Sequence, residues 1–205
     1  MGCDIHISIE RKRTVNGQES WNSLNAYTKN EYFGDDGERE WDNLEVYNGR
    51  DYCLFSALAG VRDYSDNPKI DEPRGMPDNA SQESKELSEG WGCDGHSHSY
   101  CTLREILEYK KNQPKVKHSG YVSPEAAEAL DYGTSTPNSW CQGTSNKTWV
   151  HRAWEGETCV MDRLIDGIKR RCNDTYTIYD FVWDRDEDEL LEQAESVRII
   201  FWFDN

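Results

Sequence analysis

Val197-Arg198-Ile199-Ile200-Phe201-Trp202-Phe203 carries six apolar side chains in seven, and they occupy both parities of an extended chain. Successive strand residues point to opposite faces, so this segment has no polar side to give to water. A strand of that kind belongs in the middle of a sheet, covered above and below. Its partner is legible at the other end of the sequence. Cys3, Ile5, Ile7 and Ile9 alternate with Asp4, His6, Ser8 and Glu10 over residues 3–13, a period-two strand with one buried face. Asn16-Gly17 follows, the favoured pair of a tight hairpin, and Glu19-Ser20-Trp21-Asn22-Ser23-Leu24 returns as its second strand.

Between these ends the pattern turns helical. Leu54, Phe55, Leu58 and Val61 form one stripe over 51–61, with Gly60 near the stop. A short helix is expected over 80–89. Thr102 and Glu105 make a capping box that opens a helix turning Leu103, Ile106 and Leu107 inward. Ser123-Pro124 starts another that runs to 132. Val160, Met161, Leu164, Ile165 and Ile168 line one side of a helix over 158–171, and the acidic 184–195 reads as an exposed, mostly helical stretch. Residues 26–49 read as acidic loop, with Asp35-Asp36-Gly37 as a turn, and Asp94-Gly95 as a turn that carries the histidines after it. The expected fold is α+β: a single two-layer domain over 1–205 with a small, mostly antiparallel sheet. The N-terminal hairpin and the C-terminal central strand build the sheet, and short helices and long loops at about 63–80 and 133–157 complete the fold.

Composition excludes several classes. Acidic residues number 39 against 23 basic, a net charge of −16. Phosphates repel such a surface unless it carries a local basic patch, and Arg11-Lys12-Arg13 and Lys169-Arg170-Arg171 are too short to make one, so direct nucleic-acid binding is disfavoured. No run approaches the roughly 18 apolar residues of a membrane span. The first dozen residues lack the apolar core of a signal peptide, and His6 stands where a myristoylation motif wants Ser or Thr. The 24 aromatic residues, 8 of them Trp, mark a folded chain rather than a disordered one. Seven cysteines, an odd number with no CxxC pair, point to reduced thiols and a cytoplasmic setting.

Candidate chemistry sits in three places. Asp4-x-His6 on a strand and His96-x-His98 in a turn could together supply one carboxylate and three imidazoles to Zn²⁺, Mn²⁺ or Fe²⁺. The plainer alternative leaves Asp4 and His6 on an edge hairpin and His96 and His98 bonded to the turn backbone. The prolines of Pro73-Arg74-Gly75-Met76-Pro77 could present the Arg74 guanidinium to a phosphate or carboxylate, with Arg50 and Arg62 adding to it. In so acidic a chain, pairing of Arg74 with a protein carboxylate is the competing reading. Trp91, Tyr100 and Trp140, in polar loops, could stack on a base or sugar, with core packing as their default role. His6-Ile7-Ser8-Ile9 matches half of the two-histidine phosphoesterase pattern, but no later histidine supplies the second copy.

Together, the start MGCDIH, Arg50-Asp51-Tyr52-Cys53-Leu54-Phe55 with Ala59-Gly60-Val61-Arg62, the PRGMP loop, DGHSHSY with Thr102-Leu103-Arg104-Glu105, and SVRIIFWFDN resemble a group of bacteriophage and prophage proteins. These landmarks run from end to end. The group carries no established activity, so the resemblance implies a phage accessory product in the cytoplasm of a bacterial host and assigns no catalytic residue. Three readings follow. The chain sequesters a nucleotide-type immune signal with Arg74, Arg50, Trp91, Tyr100 and His98. Alternatively it is a metal-dependent hydrolase on Asp4, His6, His96 and His98, whose ion activates water. In the third, Asp184, Asp186, Glu187, Asp188 and Glu189 mimic nucleic acid toward a host nuclease. The first is preferred, because the polar and aromatic groups gather in loops, where ligand pockets are built. Partners left open are a small anionic ligand, a host defence protein and a second copy of the chain. Whether the chain is an enzyme is left open too.

Overall fold

A computed structural model of the chain describes residues 2–30, 40–64, 67–133, 137, 139–174 and 187–204, the last three residues before 190 and the two after 172 by backbone alone. Its mixture of helices with an antiparallel sheet is the α+β architecture that the sequence predicts. The chain divides into two compact units, residues 1–112 with 159–205 and residues 113–158.

The first unit is organised by a four-stranded sheet. Its strands β1 (Ile5–Val15), β2 (Gln18–Ser23), β5 (His96–Thr102) and β8 (Val197–Phe203) lie in the order β2-β1-β8-β5. Asn16 and Gly17 both take positive φ, 53° and 78°, as a two-residue hairpin turn requires, and Val15 pairs with Gln18 across it. The C-terminal strand is central, antiparallel to β1 on one side and to β5 on the other. All seven of its residues are buried.

The two faces of β8 differ. Val197, Ile199, Phe201 and Phe203 join Ile5, Ile7 and Ile9 in the hydrophobic core, with Leu54, Phe55 and Leu58 of α1 (Tyr52–Ala59), Leu103 and Ile106 of α3 (Leu103–Asn112), and Leu164 and Ile168 of α5 (Asp162–Asp174). Arg198, Ile200 and Trp202 occupy the other face, where α2 (Gln82–Glu89) packs on β1 through a buried polar network. Glu10 Oε1 accepts from Ser81 N and Ser84 Oγ, both at 2.7 Å. Arg198 Nε donates to Glu10 Oε2 at 2.8 Å, and its Nη1 reaches Asn79 Oδ1 at 2.9 Å. The Arg198 guanidinium also lies 4.0 Å over the Trp21 ring. Ser8 and Glu10, on the polar parity of β1, are thus buried beneath a second covering layer.

Asp51, read as the first residue of a helix over 51–61, instead caps α1 by accepting from Cys53 N and Leu54 N. The other expected signals are in place: Gly60 closes α1 at φ 67°, and Ser123 caps α4 (Pro124–Asp131) with Pro124 in its first turn. Glu105 Oε2 accepts from Thr102 N at 2.7 Å while Thr102 Oγ1 accepts from Glu105 N at 3.2 Å, completing the capping box. The 184–195 segment contributes α6 (Glu187–Ala194).

Four further expectations are corrected. Residues 26–49 include a short antiparallel pair, β3 (Tyr27–Lys29) with β4 (Trp41–Asn43), too brief for an alternating signal; Asp35-Asp36-Gly37 lies outside the described residues. Val160 precedes α5 and is exposed. The His-Ser-His motif lies on strand β5 rather than in a turn, because its buried parity is filled by Ser99 and Cys101, which no hydrophobic alternation marks. Finally, β7 (Val150–Glu157) runs through the expected 133–157 loop.

That strand belongs to the second unit. It pairs antiparallel with β6 (Lys115–Val122), from Lys115 opposite Glu157 to Val122 opposite Val150. Trp154 stacks on His118 at 5.5 Å and meets Trp140 edge-on at 5.6 Å. Trp140 lies so close over Gly120 that a Cβ there would come within 2.7 Å of its ring. Trp140 therefore takes its default packing role.

Candidate functional site

Strand periodicity places His6. With Ile5 and Ile7 in the core, His6 turns to the opposite face, across from Trp202 of β8. There its Nδ1 lies 3.2 Å from Glu45 Oε1 and its Nε2 lies 3.3 Å from Asp204 Oδ2. Carboxylates only accept, so a ring facing one on each side is best held as the imidazolium, donating from both nitrogens. Burial pushes its pKa down, but the hydrogen bonds and charges of Glu45 and Asp204 outweigh burial and leave it raised. Trp91, from the turn after α2, stacks on the ring at 3.8 Å between centroids. A cleft of about 250 Å³ opens here, lined by Asp4, Ile5, His6, Glu45, Asn48, Gly49, Trp91 and Asp204.

The carboxylates are positioned from several elements. Asp204 follows β8 and is fixed to the start of β1: Asp4 N donates to its Oδ1 at 3.0 Å, and its own N donates to Asp4 O at 3.2 Å. Glu45 sits between two anchored residues. Arg171 of α5 donates to Leu44 O at 2.5 Å, and Val46 packs against the same helix at Gly167. A Cβ on Gly167 would lie 1.9 Å from Val46 O, so only glycine allows this approach. At the rim Asp4 takes both arms of Arg50, at 2.8 and 2.5 Å, and that guanidinium lowers the Asp4 pKa.

The raised His6 pKa sets a pH dependence. A group raised on folding contributes stability that is fully present below its unfolded pKa, about 6.5, and is lost as pH rises through the folded value. Denaturant titrations from pH 5.5 to 8.5 are expected to show the stability gap between wild type and His6→Gln closing as pH rises. A gap that is constant or widens would contradict the imidazolium assignment.

Other candidate residues lie elsewhere. Arg74 donates from Nε to Asp71 Oδ2 at 2.8 Å, from Nη1 to Tyr100 O and Glu105 Oε2 at 3.2 Å each, and from Nη2 to Glu105 Oε1 at 2.6 Å. Nη2 also lies 2.7 Å from Asp71 Oδ2, so every N–H of the fork has a protein acceptor. With Arg74 N on Ser99 Oγ and Gly75 N on His98 O, Arg74 docks the proline loop on β5. Tyr100 lies beneath it, 5.3 Å from ring centroid to guanidinium.

The two histidines of His96-x-His98 part company. Ser97 takes φ 51° and the register with β8 shifts between His96 and Ser99. A bulge of this kind reverses the parity of the side chains beyond it. His96 accordingly stacks on Phe203, on the core face, whereas His98 stacks on Trp202, on the face of His6. Segments 4–6 and 96–98 therefore flank one end of β8, but Asp4, His6, His96 and His98 do not converge. Among the described residues no three His, Cys, Asp or Glu side chains are arranged to hold one ion. Glu45, Asn48, Gly49 and Asp204 escaped the sequence reading. Only Asp204 had a signal, its place directly after the most buried strand.

No protein-family model, curated protein or solved structure matches this chain. Among the described residues, no helix is long and apolar enough to cross a membrane.

Proposed function

We propose that this chain is a phage accessory protein that acts by binding, capturing a nucleotide-type immune signal of the bacterial host without altering it. The observation that carries the reading is the cleft in which His6 is held between Glu45 and Asp204 against Trp91. An imidazole that donates from both nitrogens has no lone pair left to act as a general base, which favours binding over hydrolysis. The cleft offers one aromatic wall and several hydrogen-bond acceptors, the complement of a nucleobase rather than of a phosphate. In this reading Arg50, at the rim with a side chain 51 % exposed and with Nε and Nη2 on Asp4, offers its remaining nitrogen to the phosphates. This moves the ligand seat from the Arg74 loop to the start of β1, and keeps Trp91 and Arg50 in it. The resemblance to phage and prophage proteins supports the setting. Of the acidic-mimic residues, Asp184 and Asp186 lie outside the described residues and the side chains of Glu187, Asp188 and Glu189 do too, so nothing in the structure favours that reading.

The test is recovery. The full chain is incubated with cyclic and linear nucleotides, separated from free ligand, and heat-denatured. Capture returns the nucleotide intact, and Trp91→Ala weakens binding about 5- to 150-fold, the range for one base–aromatic stack of about 1–3 kcal/mol. A cleaved product whose formation stops with chelator would establish the hydrolase instead. No retained nucleotide would overturn capture.

A further inference from the structure

Independently of the ligand seat, we infer that the open edge of β7 is an interface on which two copies of this chain join their strands antiparallel about a two-fold axis. The direction of the backbone groups follows from β6. Tyr121 N donates to Cys141 O at 2.8 Å and Cys141 N to Tyr121 O at 3.1 Å, so the amide groups of Tyr121 point away from β7. Such groups alternate sides along a strand, so Val116, His118, Gly120 and Val122 are the β6 residues that bond across the ladder. Opposite them stand Gly156, Trp154, Arg152 and Val150. His151, Ala153, Glu155 and Glu157 therefore turn their N–H and C=O groups outward. Arg152 Nη1 donates to His151 O at 3.1 Å, and His118 Nε2 donates to Glu157 O at 2.8 Å. The backbone groups of Ala153 and Glu155 have no partner on that side among the described residues.

An exposed edge that is long, unbulged and free of proline is a template for another strand unless something blunts it. Strand β7 runs for eight residues, is exposed at 151, 153, 155 and 157, and keeps one register with β6 throughout. The edges of the larger sheet differ. At β5 the proline loop is docked, with Gly75 N donating to His98 O at 2.9 Å. At β2 the one charged residue is Glu19, which a second copy of that strand could not complement. Strand β7 carries both signs. Set antiparallel and centred on Ala153, two copies place His151, a donor, opposite the Glu155 carboxylate and Arg152 opposite the Trp154 ring, each twice. Donor–carboxylate and cation–aromatic pairs across strands are attractive, and no like charges stand opposite one another in this register. The side chains that meet on the axis are the two small Ala153 methyls. Residues 113–158 hold four basic and five acidic side chains, a net charge of −1 where the whole chain carries −16. This unit thus brings almost none of the charge that repels one copy from another.

Sedimentation equilibrium of the full chain over a range of concentrations should show monomers and dimers and nothing larger, because a two-fold contact closes on itself. Ala153→Cys puts two thiols on the axis, where the Cα atoms of a hydrogen-bonded pair lie about 5.5 Å apart, within disulfide reach. Mild oxidation should link its copies to an extent that the wild type, with its own seven thiols, does not reach. Ala153→Pro removes an outward N–H and no bond to β6, so it should abolish the dimer while the melting temperature is kept. Glu155→Lys is a second test that spares the backbone: it should weaken association about tenfold or more, by turning two attractive pairs into repulsive ones. Adding His151→Glu to Glu155→Lys should restore association, a rescue that general loosening of the fold would not produce. A chain that stays monomeric, a dimer that neither edge variant disturbs, or open-ended assemblies would each overturn the inference. Ala153→Cys linked in cells to a different protein and never to its own copy would overturn it too, showing an edge built for another strand.

Discussion

Arg198→Ala is expected to destabilise the protein by about 3–5 kcal/mol, the cost of stranding a buried partner charge. Glu10 is fully buried and Arg198 is 3 % exposed, with Nη2 at 2.7 Å from Glu10 Oε2. Removing the guanidinium leaves a carboxylate whose remaining donors are the Ser81 amide and the Ser84 hydroxyl. It also strips Asn79 and Trp21 of their contacts with Arg198 and loosens α2 from the sheet. The sign of the pH dependence is distinctive. In the intact protein burial raises the Glu10 pKa, but bonds from Ser84, Ser81 and Arg198 lower it more, and it ends below its ordinary value. A depressed acid contributes stability that is present above its unfolded pKa and is lost as pH falls through the folded one. Without Arg198 the burial effect dominates and Glu10 can protonate, so the defect at pH 7 should shrink toward pH 4.5. Denaturant titrations at both values check this. The pair Glu10→Gln with Arg198→Met should recover part of the loss, because no buried charge is left uncompensated. A double mutant as unstable as the sum of the single ones would deny that the two residues act as a pair.

Phe201→Ala should cost about as much, roughly 3–5 kcal/mol, by a different mechanism. Phe201 is fully buried on the core face of β8, between Ile7 of β1 and Ser99 of β5, and its ring meets Phe203 edge-on at 5.9 Å. Truncation removes the burial of a benzyl group and leaves a cavity that neighbours on both flanking strands cannot close without losing register. For a chain of this size each kcal/mol moves the melting temperature by about 2–4 °C, so the midpoint should fall by about 6–20 °C. Unlike the Arg198 defect, this one should not vary between pH 4.5 and 7, since no titrating group is involved. Val15→Ala, at an exposed position on β1, provides the control and should change stability by less than about 0.5 kcal/mol. A Phe201→Ala variant that melts with the wild type would show that the central strand does not organise the core.

The sequence by itself determined the elements whose signals are local. The N-terminal alternation, the Asn16-Gly17 turn, the Thr102–Glu105 box, Ser123-Pro124 and the doubly apolar 197–203 each encode their conformation in a handful of adjacent residues, and each is formed where expected. Tertiary structure decided what depends on contacts between distant segments. Strand β5 is polar in sequence and exists because β8 offers it a ladder; the bulge at Ser97 then sends His96 and His98 to opposite faces, which no spacing rule foresees. The cleft was half legible: His6, Asp4 and Trp91 stood out, but Glu45 and Asp204 are ordinary acidic residues in a chain with 39 of them. They face His6 because Gly167 admits Val46 against α5 and because Asp204 is tied to the backbone of Asp4. Arg74 shows the same limit from the other side. Its sequence neighbours make it look presented to a ligand, whereas the fold surrounds it with Asp71, Glu105 and Tyr100, whose acceptors satisfy every N–H it has. Local propensity acts over a few residues, while the charge that meets a side chain is set by chain segments up to 198 residues away, as between His6 and Asp204.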